Sequence, residues 1–335
     1  MSSSRTIHSI GVVIPVFLGE MTLESIVNEI LRLTPLSTSR LGNEFRVSEI
    51  ILVNDCGPDQ SDEVIRRLAA DFAVIRPVWL SRNFGQHAAT IAGIAASSAD
   101  WIVTLDEDGR HDPVDISSLL DQAILSRSSV VYAQPSNRTS HSALRNVTSL
   151  FAKRLATVLS GSRGPIAFTS FRLISGEIAR SVAAYAGPSA YLDVALSWIS
   201  QEVTAVKVVF RDEGRHYSGY STRKLMGHFW RLAVATGTRP LRVVSVVGAL
   251  TGILGFLLAA KIIFDRLAYG VVAQGWASVF VGILILGGGI LFAIGIIAEY
   301  LGLVVRSSLG QPTYLTVRDP KTTPRFGVGT DSDEL

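Results

Sequence analysis

The chain has 335 residues, a formal net charge of +3 and a hydrophobic fraction of 48%. Its pI near 9.1 and mean hydropathy of +0.35 argue against a purely soluble domain. The basic excess is too mild to point to nucleic acid and suits an anionic lipid surface instead. A single cysteine, Cys56, excludes an internal disulfide framework and fits a reducing compartment.

The opening, MSSSRTIHSI, has no apolar run after its arginine, so no signal peptide is expected. Residues 10–16 form a β-rich run, and 20–33 carry Leu23, Ile26, Val27, Ile30 and Leu31 at helical spacing. The next strand, 49–53, runs into Asn54-Asp55-Cys56-Gly57-Pro58-Asp59. In an α/β sheet such a strand end is where ligands bind, so Asp55 is expected to accept hydrogen bonds from a base or ribose, with a turn role as the alternative. Asp59 or Ser61 is the expected N-cap of a helix over 62–73. A strand over 73–80 leads to Ser81-Arg82-Asn83-Phe84-Gly85-Gln86-His87 and a small-residue helix over 88–96. Arg82 reads equally well as a phosphate or carboxylate partner and as a helix-end cap; His87 reads as a helix-start histidine.

The stretch ADWIVTLDEDGRHDP, 99–113, organises the rest. Its apolar run stops at Asp106, and Asp108 follows two residues later. Two carboxylates so close repel unless a cation sits between them, and hard oxygen ligands favour Mg²⁺ or Mn²⁺ held jointly with substrate phosphates. An acidic surface turn is the competing reading, and the preceding strand favours the metal–diphosphate site. The βα alternation predicts an α/β fold with a mostly parallel sheet and helices on both faces.

An amphipathic helix over 115–126 and a strand over 129–133 precede a basic segment, 137–154, with Arg138, Arg145, Lys153 and Arg154. It suits a lipid headgroup or phosphate, or a solvated helix face. A strand over 171–174 puts Arg172 among apolar neighbours, where an arginine has an anion or carboxylate partner. The Gly/Tyr/Ser/Arg-rich 211–223 reads as a lid. Residues 224–236 fit a membrane-interface helix, with domain packing as the alternative. Two apolar runs, 243–263 and 277–305, are each long enough for the ~20 residues that a bilayer crossing takes. Arg231, Arg239 and Arg242 precede the first, and Arg306, Arg318, Lys321 and Arg325 follow the second, so both termini are expected in the cytoplasm. The tail from 322 is polar and expected to be disordered. The expected organisation is a catalytic domain over 1–218, an acceptor loop and interface helix over 219–240, a two-helix transmembrane domain over 241–306 and a tail over 307–335.

Seven stretches in order, VVIPVF, ILVNDCGPDQS, LSRNFGQHAAT, TLDEDGRHDP, SFRLIS, SGYSTRKL and GIIAEYLG, carry a resemblance over almost the whole chain. The sequence resembles the family-2 inverting glycosyltransferases of GT-A fold (Rossmann-like), and within them the polyprenyl-phosphate glycosyltransferases such as dolichol-phosphate mannose synthases. The resemblance implies transfer of a sugar from a nucleoside-diphosphate sugar to a polyprenyl phosphate at the inner or plasma membrane, with Mg²⁺ or Mn²⁺, and homo-oligomers through the membrane helices. It implies that Pro15, Val16 and Asp55 line the nucleotide pocket, that Asp106 and Asp108 hold the metal, and that Arg172 faces the acceptor phosphate. Arg138, Arg215 and Ser218 of the basic segment and loop join the acceptor side. Four positions depart from the pattern. Leu18-Gly19 replaces Asn-Glu, with Glu20 as a partial substitute. Arg110 replaces a ligating Gln, with His111 the nearest replacement. Ser170 replaces an Asp before Phe-Arg-Leu, with Asp193 as an alternative carboxylate. An arginine usual near Gln134-Pro135 is missing. A degenerate relative serving as a nucleotide- or lipid-binding scaffold, and a transferase to another acceptor, are the competing functions.

Overall fold

The computed structural model describes residues 6–136, 168–187, 191–199, 203–211, scattered positions within 246–268, and 275–321. They include nine strands in one sheet: β1 His8–Val16, β2 Ser37–Thr38, β3 Glu44–Asn54, β4 Ile75–Leu80, β5 Trp101–Thr104, β6 Val130–Pro135, β7 Arg172–Ser175, β8 Val203–Val208 and β9 Thr316–Val317. The helices are α1 Leu23–Leu31, α2 Ser61–Asp71, α3 Gln86–Ala96, α4 Ile116–Ser126, α5 Gly176–Tyr185, α6 Leu192–Ile199 and α7 Trp276–Ser308. A single 3₁₀ turn, Pro113–Asp115, leads into α4.

Strand order is β8-β6-β7-β5-β1-β3-β4-β9, with β2 on β3. The four central strands β4, β3, β1 and β5 are mutually parallel. β6 and β8 run with them, whereas β2, β7 and β9 run against them. Six of nine strands thus share one direction, as the βα alternation predicts. The chain leaves β1 to one side for β3 and β4, then returns to its other side for β5. This reversal puts a topological switch point at the carboxyl ends of β1 and β5, the place where open α/β sheets bind ligands.

β1 and the Ile50–Val53 half of β3 are near-continuous apolar runs because both faces of the sheet are covered there. Ile10, Val12, Ile14 and Val16 pack with α1, α2 and α4 on one face. Val13, Ile51 and Val53 pack with α3, α5 and α6 on the other. Each fully buried Ile or Val contributes roughly 1.5–3 kcal/mol. The helix expected over 20–33 begins only at Leu23, because the residues after β1 are held as a loop by side chains of other elements, described below.

The chain forms two compact units: Met1–Asn146, Ser162–Gly219 and Pro312–Leu335 in one, Val147–Gly161 and Tyr220–Gln311 in the other. In the first unit β9 pairs antiparallel with β4, Trp79 opposite Val317 and Leu80 opposite Thr316. Arg66 of α2 grips Asp319 through Nε and Nη2 at 2.8 and 2.9 Å, and Lys321 Nζ lies 2.7 Å from Glu63 Oε1. The tail expected over 307–335 therefore begins with a strap that completes the sheet. The second unit contains α7, 33 residues long and about 50 Å at 1.5 Å per residue. Among the described residues no helix is long and apolar enough to cross a membrane. Within α7 the longest uninterrupted run of described side chains is 286–298. The run 243–263 is described only at scattered positions. The basic segment 137–154, most of the lid, the interface helix and the tail from 322 lie outside the described residues, as do Arg138, Arg215 and Ser218.

Candidate active site at the carboxyl edge of the sheet

β5 ends at Thr104, the buried Leu105 closes its apolar run, and Asp106 follows at the carboxyl edge. Its Oδ1 accepts from Gln86 Nε2 at 2.6 Å and its Oδ2 from Ser170 Oγ at 2.5 Å. Asp108 accepts from the Nε of Arg110 at 2.6 Å and from the Arg110 backbone N–H at 3.2 Å. Gly109, at φ +74°, supplies the turn between them. Glu107, between the two aspartates, points away: its oxygens accept the backbone N–H groups of Phe17 and Leu18, both at 2.9 Å. Burial pushes its carboxyl above the usual range, against those two hydrogen bonds. Glu107 thereby fixes the loop after β1 to the loop after β5.

His111 is buried. Its Nδ1 accepts the Asp106 backbone N–H at 3.3 Å, and its ring lies between Phe171 and Phe210 at centroid distances of 5.1 and 4.9 Å. Burial holds its pKa below the usual value against the pull of Asp106 and Asp108. The expected metal ligand thus shapes the strand end, with Nδ1 already engaged.

Two further residues expected at the site are engaged by partners of the fold itself. Asp55 is 3% exposed, and its oxygens accept the N–H groups of Phe84 and Gly85 at 2.7 and 2.9 Å. There it holds the loop that starts α3, the turn role that the sequence also allows. Arg172 is also 3% exposed. Its Nε donates to Thr104 Oγ1 at 3.0 Å, and its guanidinium is ion-paired with Asp193 of α6, which also accepts from Tyr132 Oη at 2.8 Å. Burial pushes the Tyr132 hydroxyl up to about 12. Arg172 and Asp193 are each other's partners inside the fold, so neither is presented to an acceptor phosphate.

The remaining expected residues divide as follows. Val16 is fully buried and offers the edge only its carbonyl, which accepts the Asp55 N–H at 2.9 Å; Pro15 beside it is half-buried. Glu20 turns to the 59–60 loop, accepting from the Gln60 N–H at 3.2 Å while its own N–H donates to Asp59. Ser170 sits on Asp106 as described. Arg82 is exposed, with its guanidinium 4.2 Å over the Phe84 ring, and among the described residues it has no carboxylate within ion-pair distance. Gln86, Glu107 and Arg211 were not anticipated in their roles. Arg211 binds Glu29 of α1 at 2.9 Å and Asp112 at 2.8 Å, tying the chain after β8 to the acidic loop. A cavity of about 180 Å³ lined by Met21, Glu29, Gly109 and Arg211 lies beside it, smaller than the ~300 Å³ at which ligand pockets begin.

Among the described residues no three His, Cys, Asp or Glu side chains converge on a metal. Among the described residues, Asp106 and Asp108 are the carboxylates available to such an ion at this strand end. Two carboxylates with the remaining positions left to phosphate and water is the donor set that Mg²⁺ takes with phosphate substrates. The residues fit a cation that arrives with its substrate.

The family model for glycosyl transferase family 2 matches residues 11–182, just over half of the chain, from within β1 into α5. The chain belongs to glycosyl transferase family 2. It is a glycosyltransferase with a GT-A-like α/β fold. It is 28% identical to a bactoprenol glucosyl transferase of Shigella phage SfV over 91% of this chain and 97% of that protein. It is 29% identical to an undecaprenyl-phosphate 4-deoxy-4-formamido-L-arabinose transferase of Pseudomonas fluorescens (strain SBW25) over 95% and 92%. A glucosyl-3-phosphoglycerate synthase structure from Mycobacterium tuberculosis aligns at a TM-score of 0.49 and 19% identity, covering 68% of this chain and 78% of that one.

Proposed function

We propose that this glycosyltransferase moves a sugar from a nucleoside-diphosphate sugar to a membrane polyprenyl phosphate, with inversion at the anomeric carbon. The observation that carries the reading is the near full-length correspondence to two relatives named for different sugars and for the same class of lipid carrier. The site chemistry agrees. A phosphate monoester has a second pKa near ~6, so it is largely dianionic at neutral pH and needs no protein base. That fits a strand end where Ser170 stands beside Asp106 and Asp193 is occupied by Arg172.

Asp106 and Asp108 would hold Mg²⁺ or Mn²⁺, which when bound supplies neutralisation of the departing nucleoside diphosphate. Gln86 and Ser170 aim Asp106, and Glu107 keeps the β1 loop closed against the same strand end. Arg82, the exposed cation at the end of β4, is the described residue best placed to meet phosphate. Arg138 and Arg215 complete the acceptor side in this reading.

The reading includes a membrane anchor with both termini in the cytoplasm and subunits that associate through their apolar helices. Two observations support the anchor. Ile290, Leu291, Phe292 and Ile294 of α7 are all exposed, so its apolar surface runs round the helix instead of along one stripe. The strap after α7 lies on the same sheet as the N-terminal strands, which favours an even number of crossings between them, as the runs 243–263 and 277–305 together provide.

Membranes containing the protein, given radiolabelled nucleotide sugars and polyprenyl phosphate, are expected to form a mild-acid-labile glycolipid. Asp108→Asn is expected to lower its formation at least 100-fold, the scale on which charge stabilisation acts in catalysis. Failure across a panel of sugars overturns the reading. Nucleotide binding without turnover would instead support the scaffold alternative, which the Arg110–Asp108 ion pair favours.

A further inference from the structure

Arg110 is turned back onto the two aspartates it follows. Its Nε and backbone N–H both bind Asp108, and its Nη2 lies 4.0 Å from Asp106 Oδ2. The other side chains on Asp106, Gln86 and Ser170, are neutral. Among the described residues Arg110 is thus the one cation within ion-pair distance of this pair. A guanidinium has no lone pair and cannot be a metal ligand. It binds the carboxylate that in this reading would hold a divalent cation, and two positive groups cannot share that carboxylate without repulsion. Yet the Arg110 side chain is 54% exposed, and an ion pair so open to water is weak and easily exchanged. Its planar fork also matches phosphate oxygens as well as it matches a carboxylate.

We propose that Arg110 is a resident counter-cation of the aspartate pair that yields Asp108 to a divalent cation when a diphosphate arrives to receive the guanidinium. Cation and diphosphate binding are then mutually dependent. A cation arriving alone meets a pair already half neutralised and leaves a displaced guanidinium without a partner. A diphosphate gives that guanidinium a new anion, and its own charge favours the cation. Linkage makes the effect reciprocal: each ligand tightens the other by the same factor. The proposal rests on the reading of Asp106 and Asp108 as the cation site and names how that site is regulated.

The test is equilibrium dialysis of the full-length protein in detergent, with radiolabelled Mn²⁺ and pyrophosphate, each with and without the other. Wild type is expected to hold Mn²⁺ weakly alone and about tenfold more tightly with pyrophosphate, the scale of one partly exposed charge interaction. Arg110→Gln is expected to hold Mn²⁺ alone about tenfold more tightly than wild type, and to gain less from pyrophosphate than wild type gains, keeping only the share that direct coordination of the cation by pyrophosphate supplies. Arg110→Lys, which keeps the charge, is expected to stay near wild type for Mn²⁺ alone. Equal Mn²⁺ affinity in wild type and Arg110→Gln, or equal coupling to pyrophosphate, overturns the proposal. Asp108→Asn separates the two levels. If it binds Mn²⁺ as wild type does, the cation reading itself fails. If it loses Mn²⁺ while wild type and Arg110→Gln agree, only the role of Arg110 falls.

Discussion

Thr104 and Arg172 lie opposite one another across β5 and β7, and two residues beyond Thr104 stands Asp106. The two charged side chains so close together have opposite tasks. Arg172 is enclosed with Asp193 and Tyr132, so removing one member leaves a charge without its partner away from water. Asp193→Asn is expected to cost about 3 kcal/mol of stability, read as a lowered melting temperature, while the folded fraction keeps its turnover. Asp106→Asn is expected to do the reverse, losing turnover with the melting temperature unchanged. Melting and glycolipid formation measured on both variants check the division. The sequence announces Asp106 and Asp108 because a strand end followed by alternating carboxylates is a local pattern. It does not announce that Arg172 faces inward, since an arginine among apolar residues needs an anion partner in either setting. Glu107, Gln86 and Arg211 act on residues 90, 20 and 182 positions away, separations that no periodicity reports.

At the level of elements, the central strands were legible as apolar runs because burial on both faces demands them. β2 and β9, at two residues each, are too short to carry a pattern. The antiparallel course of β7 was not legible either, because side-chain alternation is the same for both strand directions. The small residues of α3 have a visible purpose. A Cβ added at Gly93 would lie 2.3 Å from Val13 Cγ1 and 2.9 Å from Val53 Cγ2, both in the sheet core. Gly93→Ala is expected to destabilise the domain by about 1–3 kcal/mol through overpacking, measurable by denaturant unfolding. Gly57 is more constrained. A Cβ there would meet the Phe17 carbonyl oxygen at 1.7 Å, so Gly57→Ala is expected to displace the β1 loop and weaken donor binding along with stability.

For the molecule as a whole, the strap is the contact with a definable pH window. The Arg66 guanidinium, by hydrogen bond and charge, holds the Asp319 carboxyl below its usual value of 3.8. A carboxyl whose folded pKa is depressed contributes stability above its unfolded pKa and loses it as pH falls through the folded value. The strap is therefore expected to stay protected from hydrogen exchange at neutral pH and to be released only below about pH 4; Arg66→Ala is expected to release it at neutral pH. The two-residue strand is invisible in sequence, but the acidic and basic residues around it were present all along as Asp319, Lys321, Glu63 and Arg66.

Of the nine described strands, synthesis delivers the one in that strap last. When β4 emerges from the ribosome, its outer edge has no neighbour, and some 235 residues must follow before Leu315 and Thr316 reach it. An unpaired parallel edge is a template for whatever strand comes by, including another nascent copy. The protein thus passes through a long interval in which the head is nearly folded and one border still adheres, and the interval ends only after both apolar stretches have been made. A chain cut at 311 would never leave that interval, and it is expected to accumulate as aggregates even though every residue of the candidate site is present.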